Sequence, residues 1–295
     1  MSSVPHLINR RHKLRSSLLR DTLRQLRKNR LAIVGACIVT TFFFLAAFAN
    51  FIAPFDPLDQ DWRQVQRPPS RVHLLGTDEL GRDLLSRVIY GARISVTIGV
   101  ISVSIGLVFG TAIGLASGYF GGWCDSLLMR LMDIMLAIPY VLLAIAIVAI
   151  LGPGLWNTMI AIGIVTIPQF ARIVRSSVLE VKATDYVEAA KALGASDVRI
   201  MLRHVLINCL SPIIVQSTLT MASAILNAAA LGFLGLGAQP PTPEWGAMLS
   251  DGRTLLLVSP WIVTFPGIAI MLSVLGFNML GDGLRDALDP RLRKS

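Results

Sequence analysis

The chain has 295 residues, 54% hydrophobic and only 15% charged, with a formal net charge of +9. A soluble domain is typically about a quarter charged, so this composition excludes an ordinary soluble globular protein. It reads as an all-α polytopic membrane protein, because a spanning helix satisfies its own backbone hydrogen bonds in lipid. The basic excess does not point to nucleic acid. Nine Lys/Arg fall within residues 1–30, directly before the first apolar run and with no aromatic residue among them. That placement signals topology and contact with anionic membrane lipid.

In chain order, a basic cytoplasmic N-terminus (1–30) leads into the apolar run 31–53, the first transmembrane helix. "AFA" at 47–49 resembles a signal-peptidase site. The long basic region and long apolar stretch favour an uncleaved signal-anchor instead. Residues 54–92 form an extracytoplasmic loop, polar and proline-rich at first. Leu80, Leu84, Leu85, Val88 and Ile89 then fall at helical spacing, which predicts an amphipathic helix lying along the membrane surface. A five-helix core (93–283) follows, with spans at about 94–118, 127–151, 155–171, 208–235 and 260–281. A cytoplasmic segment, 172–206, interrupts it, and a cytoplasmic tail (284–295) closes the chain. With both ends inside, the cytoplasmic parts hold twenty of the 27 basic residues. Six spans satisfy the positive-inside rule.

Within span two, Gly106, Gly110, Gly114 and Gly118 make a flat stripe that Ser102 extends. Such a stripe lets a neighbouring backbone approach closely. Asp125, Arg130 and Asp133 lie at the start of span three, and Arg130 and Asp133, three apart, can pair. Span five carries Gln216, Thr220, Ser223 and Asn227 at offsets of four, seven and eleven, one polar stripe on a helix. It either lines a path for a polar solute or bonds to neighbouring helices. Pro212 is expected to kink that span or mark its end.

Cys37, Cys124 and Cys209 lack paired spacing, and His6, His12, His73 and His204 are scattered. Neither a disulfide framework nor a zinc site is expected. Phosphate-loop, H-E-x-x-H and G-x-S-x-G signatures are absent, so no catalytic residue, cofactor or metal is expected.

The stretch "DYVEAAKALGASDVRIMLRHVL" (185–206) is polar and amphipathic between two spans. It reads as two short helices meeting at Gly194, a residue that permits a sharp change of direction. Tyr186, Ala190 and Leu193 share a face of the first helix. Val198, Met201, Leu202 and Val205 form an apolar stripe on the second, with "SD" at 196–197 as its N-cap. The expected product is a rigid knuckle, suited to docking in a partner's groove or to capping its own bundle.

This stretch resembles the "EAA" loop of ABC-importer permeases in Glu188, Ala189, Ala190 and Gly194. It departs where His204 takes an apolar position and Ile207 replaces a proline. The blocks 73–96, 118–139, 231–249 and 277–290 are similar to the second, C-type permease of the dipeptide/oligopeptide/nickel group. The resemblance implies a type I ABC importer permease fold in a bacterial inner membrane. It also implies a homologous B-type permease partner, two cytoplasmic ATPase subunits and an extracytoplasmic solute-binding protein. ATPase coupling would fall to Glu188, Ala189, Ala190, Gly194 and Asp197. The loops at 54–92 and 236–259 would lie near the binding protein. Peptides are the expected solute, with nickel, glutathione or another small polar solute left open. A stand-alone secondary transporter is the reading from another class; it would carry ionisable groups at mid-membrane or internal repeats, and neither is found in the spans.

Overall fold

The computed structural model describes residues 25, 26 and 29–288. Most of the basic N-terminal segment, with His6 and His12, lies outside the described residues, as do residues 289–295 of the tail. Among the described residues there are helices and loops and no strand. Helix α1 spans Arg30–Ala47, started by the Asn29 side chain, which accepts from the Leu31 and Ala32 amides at 3.1 and 3.2 Å. A single turn, α2 (Ala49–Ile52), follows. The remaining helices are α3 (Leu84–Phe120), α4 (Gly122–Ala137), α5 (Tyr140–Leu151), α6 (Leu155–Lys182), α7 (Asp185–Ala192), α8 (Asp197–Ile200), α9 (Leu210–Phe233), α10 (Trp245–Gly252) and α11 (Trp261–Leu288).

Five of these stretches are long and apolar enough to cross a membrane: α1, α3, α6, the run 197–233 and α11. A sixth span exists if α4 and α5 count as one, but they meet at 94°. The straight span predicted for 127–151 is therefore broken. Pro139 is the cause: it cannot donate to the helix ladder, and Ile138 before it is extended at φ −91°, ψ 130°.

The predicted surface helix is also corrected. Leu84, Leu85, Val88 and Ile89 form the opening turns of α3, which runs unbroken for 37 residues. At 1.5 Å per residue it is about 55 Å long, well beyond the hydrocarbon thickness. Nothing in "YGARISV" breaks it. A side chain at Gly91 would lie 2.3 Å from the Trp245 indole nitrogen, so this glycine serves packing. Likewise α6 continues to Lys182 instead of stopping near 171, and Pro212 sits in the first turn of α9, where a missing N–H costs little.

The glycine stripe of α3 seats α6. A Cβ at Gly106, Gly110, Gly114 or Gly118 would approach Thr166, Phe170, Ala171 or Val178 to between 2.2 and 2.8 Å. Ser102 Oγ donates to the Met159 carbonyl at 2.9 Å along the same seam. Small residues do the same between α1 and α11, where a Cβ on Gly35 would meet the Leu280 nitrogen at 2.6 Å. Helix α9 packs against α3, α6 and α11. One bundle results, with α7 and α8 at the end where α3 and α6 terminate.

Candidate functional site: a knuckle, its struts and a polar stripe

Helix α7 ends where Gly194 takes φ +80°, a conformation that strains any residue bearing a Cβ. The Ala195 amide donates to the Ala190 carbonyl at 3.1 Å and the Gly194 amide to Lys191 at 3.0 Å. This double bond pattern closes the helix and turns the chain sharply. The tip is bare: Leu193 is 88% exposed, and nothing lies within 4 Å of the position a Gly194 Cβ would take. Glu188 and Ala189 are exposed and Ala190 is half-buried. The tip of the knuckle thus offers acid, small residues and the Leu193 side chain on its outer surface.

Its second half differs from the predicted amphipathic helix. Only one α turn forms (Asp197–Ile200), followed by a π turn at Met201–Val205 and a 3-10 turn at Leu206–Cys209. The change of pitch splits the predicted stripe. Val198 and Leu202 are exposed, Met201 is half-buried and only Val205 is buried. The side chains that anchor the knuckle are Val187, Ile200, Val205 and Cys209, packed with Leu115, Tyr119, Val174, Val178 and Ile213. Apolar spacing at a fixed 3.6-residue period cannot anticipate a segment whose pitch changes twice. Tyr186 and Leu193 likewise face outward, while Val187 carries the burial of α7.

One polar strut ties the knuckle to the bundle, and others brace the helices beneath it. Ser196 occupies the N-cap position of α8 without a side-chain capping bond. The Asp197 carboxylate instead accepts from the Tyr119 hydroxyl at 2.6 Å, joining α8 to the end of α3. Lys182 Nζ donates to the Tyr119 carbonyl at 2.5 Å, and lies 5.4 Å from the Tyr119 ring centre. Arg175 on α6 grips Asp125 on α4 through two bonds of 2.6 Å, and Ser117 also donates to Asp125. Asp133 pairs with Arg172 at 2.5 Å, not with Arg130 as the spacing suggested. The bend at Pro139 and the reach of α6 bring these groups together from 39 and 50 residues apart. Tyr119, Arg172, Arg175 and Lys182 were invisible as site residues because nothing in their own neighbourhoods marks their distant partners.

The polar stripe lies on α9 as its spacing requires, but its members have different surroundings. Gln216 Nε2 donates to Thr220 Oγ1 at 3.0 Å and reaches Gln169 of α6 at 3.5 Å. Thr220 is buried. Ser223 is exposed and Asn227 half-buried, and each donates back to its own helix, to the Leu219 and Ser223 carbonyls. The Gln216–Thr220 half engages a neighbouring helix, while Ser223 and Asn227 donate to their own helix, with the Tyr140 hydroxyl of α5 beside Asn227.

At the opposite end, residues 55–83 fold into a charged knot. Arg82 bonds Asp78 at 2.6 Å and Glu79 at 3.0 Å, and Arg87 approaches Asp78 at 3.3 Å. Asp83 caps α3 through the Ser86 amide and also holds His73 Nδ1 at 2.9 Å. Asp78, Arg82, Asp83 and Arg87 are all buried, so the knot depends on mutual pairing. Burial and the neighbouring Asp78 raise the Glu79 carboxyl above its ordinary range. Trp261 Nε1 donates to the Thr77 carbonyl at 3.2 Å, clamping the knot to α11. Beside it, Glu244 accepts from the Gly246 and Ala247 amides at 2.8 Å each and starts α10. Burial pushes this carboxyl up to about 7 despite those two donors. No group of three potential metal ligands occurs among the described residues.

Residues 110–294 match the family model described as binding-protein-dependent transport system inner membrane component. Residues 17–69 match the N-terminal TM domain of oligopeptide transport permease C. The chain is 53% identical to the dipeptide transport system permease protein DppC of Alkalihalophilus pseudofirmus, over 93% of this chain and 90% of that one. It is 51% identical to the di/tripeptide transport system permease protein DppC of Pseudomonas aeruginosa, over 95% and 94%. To the glutathione transport system permease protein GsiD of Escherichia coli it is 48% identical, over 92% and 89%. In fold it is similar to a chain of the methionine ABC transporter MetNI in an inward-facing conformation. The TM-score is 0.58 at 19% identity, covering 70% of this chain and 98% of that one.

Proposed function

The chain belongs to the family of binding-protein-dependent transport system inner membrane components and is a permease subunit of an ATP-binding-cassette importer, and from that premise we propose that it carries di- and oligopeptides across a bacterial inner membrane. It forms one half of the path, the other half coming from a homologous B-type permease. Two cytoplasmic ATPase subunits hydrolyse ATP, and an extracytoplasmic solute-binding protein delivers the peptide. Both termini face the cytoplasm. The substrate reading is supported by relatives above 50% identity that bear dipeptide and di/tripeptide names. The 48% identity to a glutathione permease supports a second reading, glutathione, itself a small charged peptide.

The observation that carries the coupling role is the knuckle: an exposed Leu193 tip on a buried, strutted base. Glu188, Ala189, Ala190 and Gly194 form the face that an ATPase groove receives, and Asp197 is the strut that holds that face to α3. ATP binding draws the ATPases together and displaces the knuckle. Helix α6 moves with it, because Val174 and Val178 pack on the buried base of the knuckle and the chain passes from Lys182 into α7 within two residues. The path then alternates between inward and outward openings. A full swing from 1:99 to 99:1 needs about 5.5 kcal/mol of preference for one state, which a stiff seated element transmits and a floppy loop does not. The stripe Gln216, Thr220, Ser223 and Asn227 borders the path.

A cross-linker at Ala190 in the assembled transporter tests the assignment. Capture of an ATPase subunit is expected, with peptide uptake that requires ATP and the binding protein. Absence of capture, or labelling of residue 190 from outside the cell, refutes it.

A further inference from the structure

A groove of about 590 Å³ opens beside the knuckle, at the end of the bundle where α6 and α11 finish and α9 begins. Helix α9 and the 3-10 turn before it form its floor, with Ser211, Val215 and Gln216 on the helix and Asn208 on the turn. One wall is α6, which contributes Ser177 and Glu180. The other is α11, which contributes Arg285. The groove therefore has an acid on one side, a base on the other and hydroxyls and amides between them. Glu180 and Arg285 do not pair with each other, and neither has an ion-pair partner among the described residues. Asp286, next in the chain to Arg285, is engaged elsewhere, by the Asn29 amide at 3.3 Å.

Two opposite charges that share a groove yet stay apart leave both available to a ligand. The ligand that satisfies them carries a cation and an anion at its two ends and hydrogen-bonding groups along its middle. Helices α6 and α11 each pack on α9, at about 8–10 Å, and not on each other, so the walls stand farther apart than the roughly 7 Å that two extended residues span. Side chains reaching inward from both walls close that difference. The volume falls within the range of small-molecule sites, about 300–1,000 Å³.

We propose that this groove binds a small zwitterionic peptide at the inner end of the permease. Glu180 receives the free ammonium and Arg285 the free carboxylate, while the side-chain oxygens of Asn208 and Gln216 accept from the peptide N–H, their NH2 groups being held by Tyr186, His204 and Thr220. The proposal rests on the peptide-import reading and deepens it, because it assigns this chain its own recognition of free termini. Gln216 then joins the groove to the polar stripe of α9, so the groove is the last station before release.

The test uses the assembled permease–ATPase complex in lipid nanodiscs without the solute-binding protein. The probe is alanyl-photoleucine, a zwitterionic dipeptide with a diazirine side chain. Labelling is expected within 173–181, 208–219 or 285–288. Unlabelled Ala-Leu should suppress it about tenfold better than N-acetyl-Ala-Leu or Ala-Leu amide, the size expected for losing one charge-assisted contact. Glu180→Gln should weaken Ala-Leu and remove the penalty for N-acetylation alone. Arg285→Gln should remove the penalty for amidation alone. That matched pattern cannot arise from misfolding. Labelling outside the groove, equal competition by blocked peptides, or variants that discriminate like the parent overturn the proposal. Uptake of labelled Ala-Leu in cells is read in parallel. Peptide-specific uptake with failed groove labelling overturns this site alone, whereas absence of peptide uptake overturns the functional reading.

Discussion

Gly110→Ala adds one methyl group where two helices touch. The new Cβ would stand 2.5 Å from the Phe170 Cβ, 2.7 Å from the Ile167 carbonyl oxygen and 3.1 Å from the Ala171 nitrogen. Comfortable carbon contacts begin near 3.5 Å, so α3 and α6 must separate locally by up to about 1 Å. No rotamer change relieves this, because two of the three neighbours are backbone atoms. A gap of that size forfeits a quarter to a half of each dispersion contact it affects, and overpacking typically costs 1–3 kcal/mol. Replacing Gly by Ala within a helix returns roughly 0.5–1 kcal/mol. The net expectation is about 1–2 kcal/mol of destabilisation. Gly267→Ala is the control, since its Cβ would meet only Leu249 Cδ2 at 3.9 Å; it should be neutral or stabilising. Thermal unfolding of both variants in the same nanodisc, followed by tryptophan fluorescence, should separate them by a few degrees. Gly110→Ala equal to or more stable than the parent would refute the close-packed seam.

At the knuckle, Leu193→Asp should abolish co-purification of the ATPase subunits while membrane insertion and protein level stay unchanged; an intact complex would contradict the docking role. Asp125→Asn removes the charge gripped by Arg175 in a partly exposed pair, worth about 1 kcal/mol, and should lower peptide transported per ATP hydrolysed; an unchanged ratio would remove the strut from the coupling route. For Glu244, whose carboxyl rises from 4.5 to about 7 on burial, the folded state holds the proton more tightly than the unfolded. Stability contributed there is therefore present below pH 4.5 and falls as pH rises through 7, by up to roughly 3 kcal/mol. Hydrogen exchange of residues 245–248, corrected for intrinsic rate, should show protection declining from pH 5 to 8 in the parent and flat in Glu244→Gln; the same slope in both would exclude Glu244 as the cause. Asn227→Leu should alter peptide uptake without disturbing assembly; a variant that fails to assemble with its partner permease would assign Asn227 to packing instead of to the path.

Much of the knuckle is legible before any coordinates. Gly194 between two short amphipathic stretches predicts a turn, and the turn occurs at a positive φ that glycine accommodates. The α3 stripe predicts close helix packing, and four missing side chains are where α6 sits. The readings that fail are those that extend one local period too far. Val198 and Leu202 are assigned to a buried face by a 3.6-residue count, yet the backbone passes from α to π to 3-10 within thirteen residues. Arg130 is offered to Asp133 because it is near in sequence, yet Arg172 arrives from 39 residues away.

The sequence by itself determined the solvent this protein lives in, the small-residue seam and the position of the sharp turn. Each follows from what a residue carries or lacks on its own Cα, which no fold can change. Tertiary structure alone decided which polar groups meet, Asp125 with Arg175, Asp133 with Arg172 and Tyr119 with Asp197, and that Glu180 and Arg285 line one groove without pairing. Those pairings depend on the distances and rotations between whole helices. Such geometry is fixed by how the seams pack and where Pro139 bends the chain, and no short window of residues contains it.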